Sequence, residues 1–370
     1  MSKNRQHTVK IYPVEYTLPE ELQKWLNKNT AHTIFASFEW FVELSKFKKL
    51  YGCNKDTEFF WLFIFESDVL CLAAPLEKCD KKLRIISNFY TPFTELFFDN
   101  TVLTAEQAWT LLLTQLNVAC KNWRSLEIAP LISEQFKAIS DVSGATAVSL
   151  FKYPLSVNYC TDYPDFATYW KSRSSRLKNT YKRRLNTLSK QNFSIDVYAK
   201  VTDEIKQEYW QIYQQSWKIQ EPSTDFINWL MQWADGKQQF RLGLLRINGI
   251  PAAFQLWLLD GATAYIFKLA QDKQFDTFSP GTILTKYMIE QLSESDAIRF
   301  IDFLLGDDAF KALWMDNKKN IIGVEIINQI TVTGKLLISM YKLRDFIKKT
   351  TGIIFSRNKV VEHHSRVDDE

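Results

Sequence analysis

The sequence predicts an α+β (α/β) chain of two domains, and three observations carry that reading. The chain has 370 residues, more than one hydrophobic core ordinarily serves. Hydrophobic residues make up 46% and aromatic residues 15%, enough for packed interiors, whereas 11 Gly and 10 Pro leave little for long flexible linkers. The third observation is local. Residues 264–314 read strand, turn, helix, strand, turn, helix, and the first part of the chain reads helix, helix, hairpin, strand, helix, strand, like a degenerate copy.

The first half follows in order. The polar start 1–6 leads into Val9-Lys10-Ile11-Tyr12 without an apolar signal core, and a cytoplasmic protein is expected. Glu20 and Glu21 open a helix over 19–27, and a second covers 37–46 with Phe38, Phe41, Val42 and Leu44 on its packing side. The apolar run 59–76 is interrupted by Glu66, Ser67 and Asp68, so it reads as two strands around a turn and not as a bilayer span. Extended pieces at 83–89 and 96–98 precede a helix over 105–120 carrying Trp109, Leu112, Leu113 and Leu116. A strand over 125–128 and a short helix near Phe136 close the half.

Residues 153–165, with Pro154 and Pro164, read as the junction. Eight cations then occur from Lys171 to Lys190 with no acid between them, while Leu177, Tyr181, Leu185 and Leu188 keep helical spacing. Such a basic face is either solvated or an approach for an anion. The helix 204–218 carries Tyr209, Trp210, Ile212, Tyr213 and Trp217, a pattern commoner in cores than in clefts, and 226–234 is another helix. Strands 241–247 and 251–259 turn on Asn248-Gly249, a strong hairpin signal.

Residues 264–270 form a strand, and a polar loop leads to Ser279-Pro280-Gly281-Thr282, where Ser279 suits the N-cap and Pro280 the first helical position. Pro280 lacks an N–H, which leaves the amides of Gly281, Thr282 and Ile283 as donors at the positive end of the helix dipole. This turn is either a well-capped helix start or a receiver of phosphate oxygens. The strand 298–305 places Asp302 on the alternation face of Phe300 and Leu304, an acid where a hydrophobe is expected, and a buried acid has a partner or a task. Gln255 and Lys268 are polar residues within strands that either reach a ligand where the strands splay or, for Lys268, pair with Asp302. Asp307 reads either as a competing base or as the N-cap of the helix holding Lys311 and Trp314.

Strands at 321–327 and 329–333 and a helix over 335–349 end the ordered chain. Leu336, Leu337, Met340, Leu343, Phe346 and Ile347 oppose Lys335, Lys342, Arg344, Lys348 and Lys349, so this helix either packs on its own domain or rests peripherally on the inner face of an anionic membrane. Residues 360–370 read as a disordered tail. The expected domains are 1–152, 153–334 and a basic amphipathic helix within 335–359. A net charge of +4 does not itself imply nucleic acid. Five cysteines without a close pair argue against a zinc knuckle or a disulfide framework, and no metal is expected. The four histidines, His7, His32, His363 and His364, all lie outside the body of the second domain, which weakens hydrolase readings.

The run 240–314 carries a resemblance: Asn248-Gly249-Ile250-Pro251-Ala252-Ala253-Phe254-Gln255-Leu256-Trp257, Tyr265-Ile266-Phe267-Lys268-Leu269-Ala270, Ser279-Pro280-Gly281-Thr282 and Gly306-Asp307-Asp308-Ala309-Phe310-Lys311. With Arg173 to Thr180, Ser216-Trp217-Lys218 and Glu221-Pro222 upstream, it resembles the CelD-type acetyltransferases of cellulose and exopolysaccharide biosynthesis, within the GNAT superfamily. The double layout also resembles the FemAB aminoacyltransferases. Phe310 departs from the family, which usually has Tyr before the Lys.

The resemblance implies two GNAT-like domains, each a mixed, mostly antiparallel sheet flanked by helices, with the first degenerate. It implies acetyl-CoA or another acyl-CoA as donor, no metal, and direct attack by an amine, such as that of an amino sugar in exopolysaccharide or cell-envelope glycan synthesis. Leu269, Ala270, Ser279, Gly281, Thr282 and Ile283 would hold the carrier. Asp302 is the preferred base, with Lys268 and Asp307 as further catalytic candidates, and Arg176, Trp217, Lys218, Gln255 and Lys311 would face the substrate. A FemAB-like transferase would instead hold an aminoacyl-tRNA on the basic helix. A scaffold that kept the fold and lost the reaction is the non-enzymatic alternative.

Overall fold

The computed structural model describes residues 6–29, 34–51, 53–144 and 146–351. The chain divides into two compact units, Met1–Ser156 with Asn320–Glu370, and Val157–Lys319. The first unit begins with β1 (His7–Pro13), α1 (Glu20–Lys28), α2 (Phe38–Tyr51), β2 (Glu58–Glu66), β3 (Val69–Cys79), β4 (Lys82–Ile85) and β5 (Phe97–Phe98). It continues through α3 (Ala105–Ala119), β6 (Ser125–Ile132), α4 (Phe136–Asp141) and the start of β7 (Val148–Asp162). The second unit takes the end of β7, then α5 (Phe166–Ser172), α6 (Ser175–Leu188), β8 (Phe193–Tyr198), α7 (Asp203–Gln215) and α8 (Thr224–Gly236). After these come β9 (Phe240–Ile247), β10 (Ile250–Asp260), β11 (Thr263–Gln271), α9 (Pro280–Ser295), β12 (Phe300–Leu305) and α10 (Ala309–Trp314). Finally β13 (Asn317–Asn328) leads back into the first unit, which α11 (Val332–Thr351) ends.

Each unit is a mixed, mostly antiparallel sheet flanked by helices, and both follow one topology. In the first, β1 to β4 form an antiparallel meander, α3 crosses over, and β6 returns parallel to β4. In the second, β8 to β11 form the meander, α9 crosses over, and β12 returns parallel to β11. The crossover is needed because parallel neighbours cannot be joined by a tight turn.

Local sequence explains these elements. Ser67 and Asp68 take left-handed φ values of 47° and 67°, so the polar break in the apolar run 59–76 is the β2–β3 turn. Asn248 and Gly249, at φ 53° and 79°, turn β9 into β10 with the twist that antiparallel partners need. In α7, Thr202 caps the Ile205 N–H and Ile205, Tyr209, Ile212 and Tyr213 are buried at helical spacing. In α9, Ile283, Leu284, Met288, Ile289 and Leu292 pack into the core of the second unit. Gly243 of β9 makes room there: a Cβ on it would stand 2.5 Å from the Met288 sulfur.

The segment 153–165 expected as the junction does hold the boundary between Ser156 and Val157, and strand β7 carries the chain through it. Several expectations are corrected. The expected second domain 153–334 loses 320–334 to the first unit, because Ile321–Asn328 is buried on both faces and pairs antiparallel with β6. No strand forms at 329–333, where Asn328 Oδ1 accepts the Ile330 N–H and turns the chain into α11. The basic segment 171–190 is two helices, broken at buried Arg173 and restarted by Ser174, which caps the Leu177 N–H. Strand β8 is an addition to the expected elements: Phe193, Ile195 and Val197 alternate with Ser194 and Asp196 and turn onto the core. The tail 360–370, His363 and His364, and the end of the helix expected within 335–359 lie outside the described residues.

Candidate active site

In the second unit a set of electrostatically linked groups, Asp302, Lys311, Lys268 and Lys218, stands at and beyond the point where β11 and β12 stop pairing. These parallel strands share only three register pairs, Thr263 with Phe300, Ala264 with Ile301 and Tyr265 with Asp302. Asp302 is therefore the last rung. Beyond it, Leu304 takes a left-handed φ of 57° and the register against β7 slips, so the alternation expected to align Asp302 with Leu304 is broken. The bend lets the Leu304 N–H donate to Asp302 Oδ1 at 2.6 Å, and Asn158 Nδ2 donates to the same oxygen. Asp302 is 7% exposed. Burial pushes its carboxyl up to about 6, against these two hydrogen bonds and the ammonium groups of Lys319 and Lys311.

Three lysines from three elements converge on this region. Lys268 of β11 pairs with Glu221 and not with Asp302, one of its two sequence readings. Its Nζ lies 2.7 Å from Glu221 Oε2, with side-chain exposures of 12% and 2%, and 6.0 Å from the centre of the Tyr213 ring. Lys311 of α10 donates to the Leu305 carbonyl at 2.6 Å and stands 3.7 Å from Asp308. Gly306, at φ 128°, permits this, since a Cβ there would sit 2.7 Å from Lys311 Nζ. Burial lowers the Lys311 pKa, opposed by Asp308 and Asp302.

Lys218 stands between α7 and α8, half-buried, with its ammonium 5.6 Å from the Trp217 ring and without an ion pair among the described residues. Burial first, then the charges of Lys268 and Lys311, lowers it to about 8, against Glu221 and Asp308. A cation without a direct ion pair, near two other ammonium groups, is a place for a carboxylate or phosphate oxygen.

The turn at Ser279 differs from its reading. Ser279 is not a side-chain cap: a 3₁₀ turn, Lys273–Phe278, runs directly into α9 and forces Ser279 to φ 49°, with no capping hydrogen bond from its hydroxyl. Pro280 does occupy the first turn. The Gly281 N–H donates to Gln271 Oε1 at 3.0 Å, the Thr282 N–H to the Ser279 carbonyl at 3.1 Å, and the Ile283 N–H makes the ordinary first helical bond to the same carbonyl. A phosphate on the Gly281 amide must therefore displace the Gln271 side chain, itself held by Asp276.

The remaining candidates are distributed as follows. Gln255 is fully buried and braces β10 to α9, donating to the Gly281 carbonyl and to Thr285 Oγ1 while accepting from Trp257 Nε1. Leu269 and Ala270 stand opposite Gln255 and Phe254 in the β10–β11 register. Asp307 is exposed and is not the N-cap of α10; Asp308 is, through the Lys311 N–H. Hydrogen bonds from Lys318 and from the Tyr159 hydroxyl hold Asp307 below the usual carboxylate range. Trp217 is 39% exposed at the rim, and Arg176 is exposed on α6. A hollow of about 530 Å³ along α7 and α8, bordered by Asp203, Lys206, Trp210, Gln214 and Asn228, includes none of these residues. No cluster of His, Cys, Asp or Glu suited to a metal occurs among the described residues.

Sequence reasoning missed Asn158, Glu221, Gln271 and Asp308 as partners. Asn158 is 144 residues from Asp302, and nothing in its local pattern signals the contact. The first unit shows what the same ladder position becomes when closed. There the last parallel rung pairs Arg84 with Glu127. Burial would raise the Glu127 carboxyl, but Lys82, the Tyr153 hydroxyl and Arg84 outweigh it and bring it to about 2.

Residues 175–312 match the model of the acetyltransferase (GNAT) domain. The matched segment lies within the second unit and holds every residue of the lysine cluster and Asp302, but not Asn158. No curated protein matches the chain. Among solved structures, FemX is similar at 12% identity with a TM-score of 0.60, over 89% of this chain and 98% of FemX. The C-terminal domain of a putative lysylphosphatidylglycerol synthetase from Agrobacterium fabrum is similar at 11% identity and a TM-score of 0.50, over 85% and 93%. A tandem GNAT protein of the clavulanic acid pathway matches at 9% identity and 0.48, over 86% and 98%. At such identities the likeness is one of fold.

Proposed function

We propose that the second unit is an N-acyltransferase whose acceptor amine approaches Asp302 past the three lysines. One observation carries this reading: a carboxyl raised to about 6 at the last rung of a parallel ladder, with an unpaired ammonium lowered to about 8 in the same electrostatic neighbourhood. Asp302, through a water, takes the proton of the acceptor ammonium, and the freed amine forms its bond to the acyl carbonyl carbon. The oxyanion collapses, the bond to the carrier breaks, and the leaving group takes the proton that the nitrogen sheds on becoming an amide. Asn158 and the Leu304 amide hold Asp302 in place, and Lys218 and Lys311 orient anionic oxygens.

The donor tested first is acetyl-CoA or another acyl-CoA, and the acceptor class is an amine-bearing glycan or small molecule, as in CelD-type surface-polysaccharide synthesis. The GNAT match supports the acyl-transfer chemistry. A second reading, transfer from an aminoacyl-tRNA, is favoured by a specific observation: Gln271 occupies the Gly281 amide that a pyrophosphate would use, whereas Arg176, Lys182 and Arg183 of α6 are exposed. Calorimetry separates the two. Acetyl-CoA binding that tightens in Gln271→Ala supports the thioester donor. Absence of binding in both proteins, with salt-sensitive tRNA binding lost in Arg176→Glu/Lys182→Glu, supports the tRNA donor. If neither carrier binds, the transferase reading fails.

A further inference from the structure

Helix α11 presents an apolar stripe outward. Val332 (74% exposed), Leu336 (62%), Met340 (65%), Leu343 (59%) and Phe346 (65%) recur at spacings of four and three, which places them on one face. The opposite face is committed to the first unit. Tyr341 donates from its hydroxyl to Glu325 at 2.7 Å and packs its ring against Phe151, and Ile338 is 9% exposed. The helix is therefore docked by one side while its more apolar side faces out. At 1.5 Å per residue the stripe runs for about 20 Å. Exposed Lys335 and Lys342 lie along one edge, and Arg344 lies along the other.

We propose that this face rests in the headgroup and upper acyl region of an anionic lipid bilayer. Charge decides the occupant. A second copy meeting the stripe face to face would bring cations against cations, whereas an anionic headgroup layer meets them with opposite charge and accepts the apolar side chains beneath. The helix lies on the surface and does not cross it: no helix among the described residues is long and apolar enough to span. The proposal is independent of the transferase reading.

Flotation of the full chain with vesicles tests it. The expected result is association with phosphatidylcholine vesicles containing 30% phosphatidylglycerol, at least tenfold weaker association with pure phosphatidylcholine, and weakening as salt rises. Leu336→Asp/Met340→Asp, at exposed positions, should reduce partitioning at least tenfold with an unchanged melting curve. Lys335→Glu/Lys342→Glu, which keeps the stripe, should remove the preference for phosphatidylglycerol. No association of the wild-type chain, or charge-reversed protein that keeps its preference, overturns the proposal. So does a wild-type dimer in solution that Leu336→Asp dissociates, which would assign the stripe to a second copy.

Discussion

Lys268 Nζ stands 2.7 Å from Glu221 Oε2, and this pair is nearly sealed from solvent, with side-chain exposures of 12% and 2%. It joins strand β11 to the loop after α7, and both of its charges act on Lys218. Removing one partner takes the nearest opposite charge from a group that stays buried. Glu221→Gln should destabilise the protein by about 3–5 kcal/mol, and Lys268→Met/Glu221→Leu should recover most of that loss. Denaturant unfolding of the three proteins checks both outcomes.

Asp302 and Lys218 set a pH window for transfer. A base with a pKa of about 6 is protonated and idle below that value, and a cation with a pKa of about 8 loses its charge above it. The profile of kcat/KM should be bell-shaped, rising through about 6 and falling through about 8. Lys218→Arg should carry the falling limb upward, because a guanidinium stays charged.

The raised carboxyl also predicts a stability profile. Its ordinary value is 3.8 and burial brings it to about 6, so the folded state prefers the protonated form. The penalty is absent below 3.8, grows as the pH rises to about 6, and above that is complete at an order of 3 kcal/mol. Asp302→Asn keeps an oxygen for the Leu304 and Asn158 donors and removes the charge. It should be more stable than the wild type at pH 7 by up to about 3 kcal/mol and equal to it near pH 3.5, by urea unfolding at both pH values.

Gly306 is a sharper probe of Lys311 than Lys311 itself. At φ 128° an alanine is strained, and its Cβ would meet the ammonium at 2.7 Å. Gly306→Ala should cost about 1–3 kcal/mol of stability and lower kcat more than a surface change of equal stability cost. Thermal unfolding and steady-state rates separate the two effects.

What the sequence shows and what it conceals divide along physical lines. The hairpin on Asn248-Gly249 and the helix after Pro280 are legible because turn chemistry and periodicity are local. Asp302 is legible as an acid out of place. Its partner Asn158, the pairing of Lys268 with Glu221 and the return of β13 to the first unit are decided by tertiary packing across more than 40 residues, and no periodic signal encodes them. Ser279 stands at the N-cap position that its residue type suits, but the 3₁₀ turn before it sets its φ and keeps its hydroxyl from capping. Asp307 and Asp308 were confused because either satisfies the same capping pattern, and one residue of register decided between them.

The most direct test is transfer of a labelled acyl group to amine acceptors, from acetyl-CoA and from aminoacyl-tRNA, by wild-type protein and Asp302→Asn between pH 5 and 9. The account predicts product from one donor, a rate rising through about pH 6, and a loss of about 10²–10⁴-fold in the variant. Transfer by Asp302→Asn at the wild-type rate across that range would contradict it.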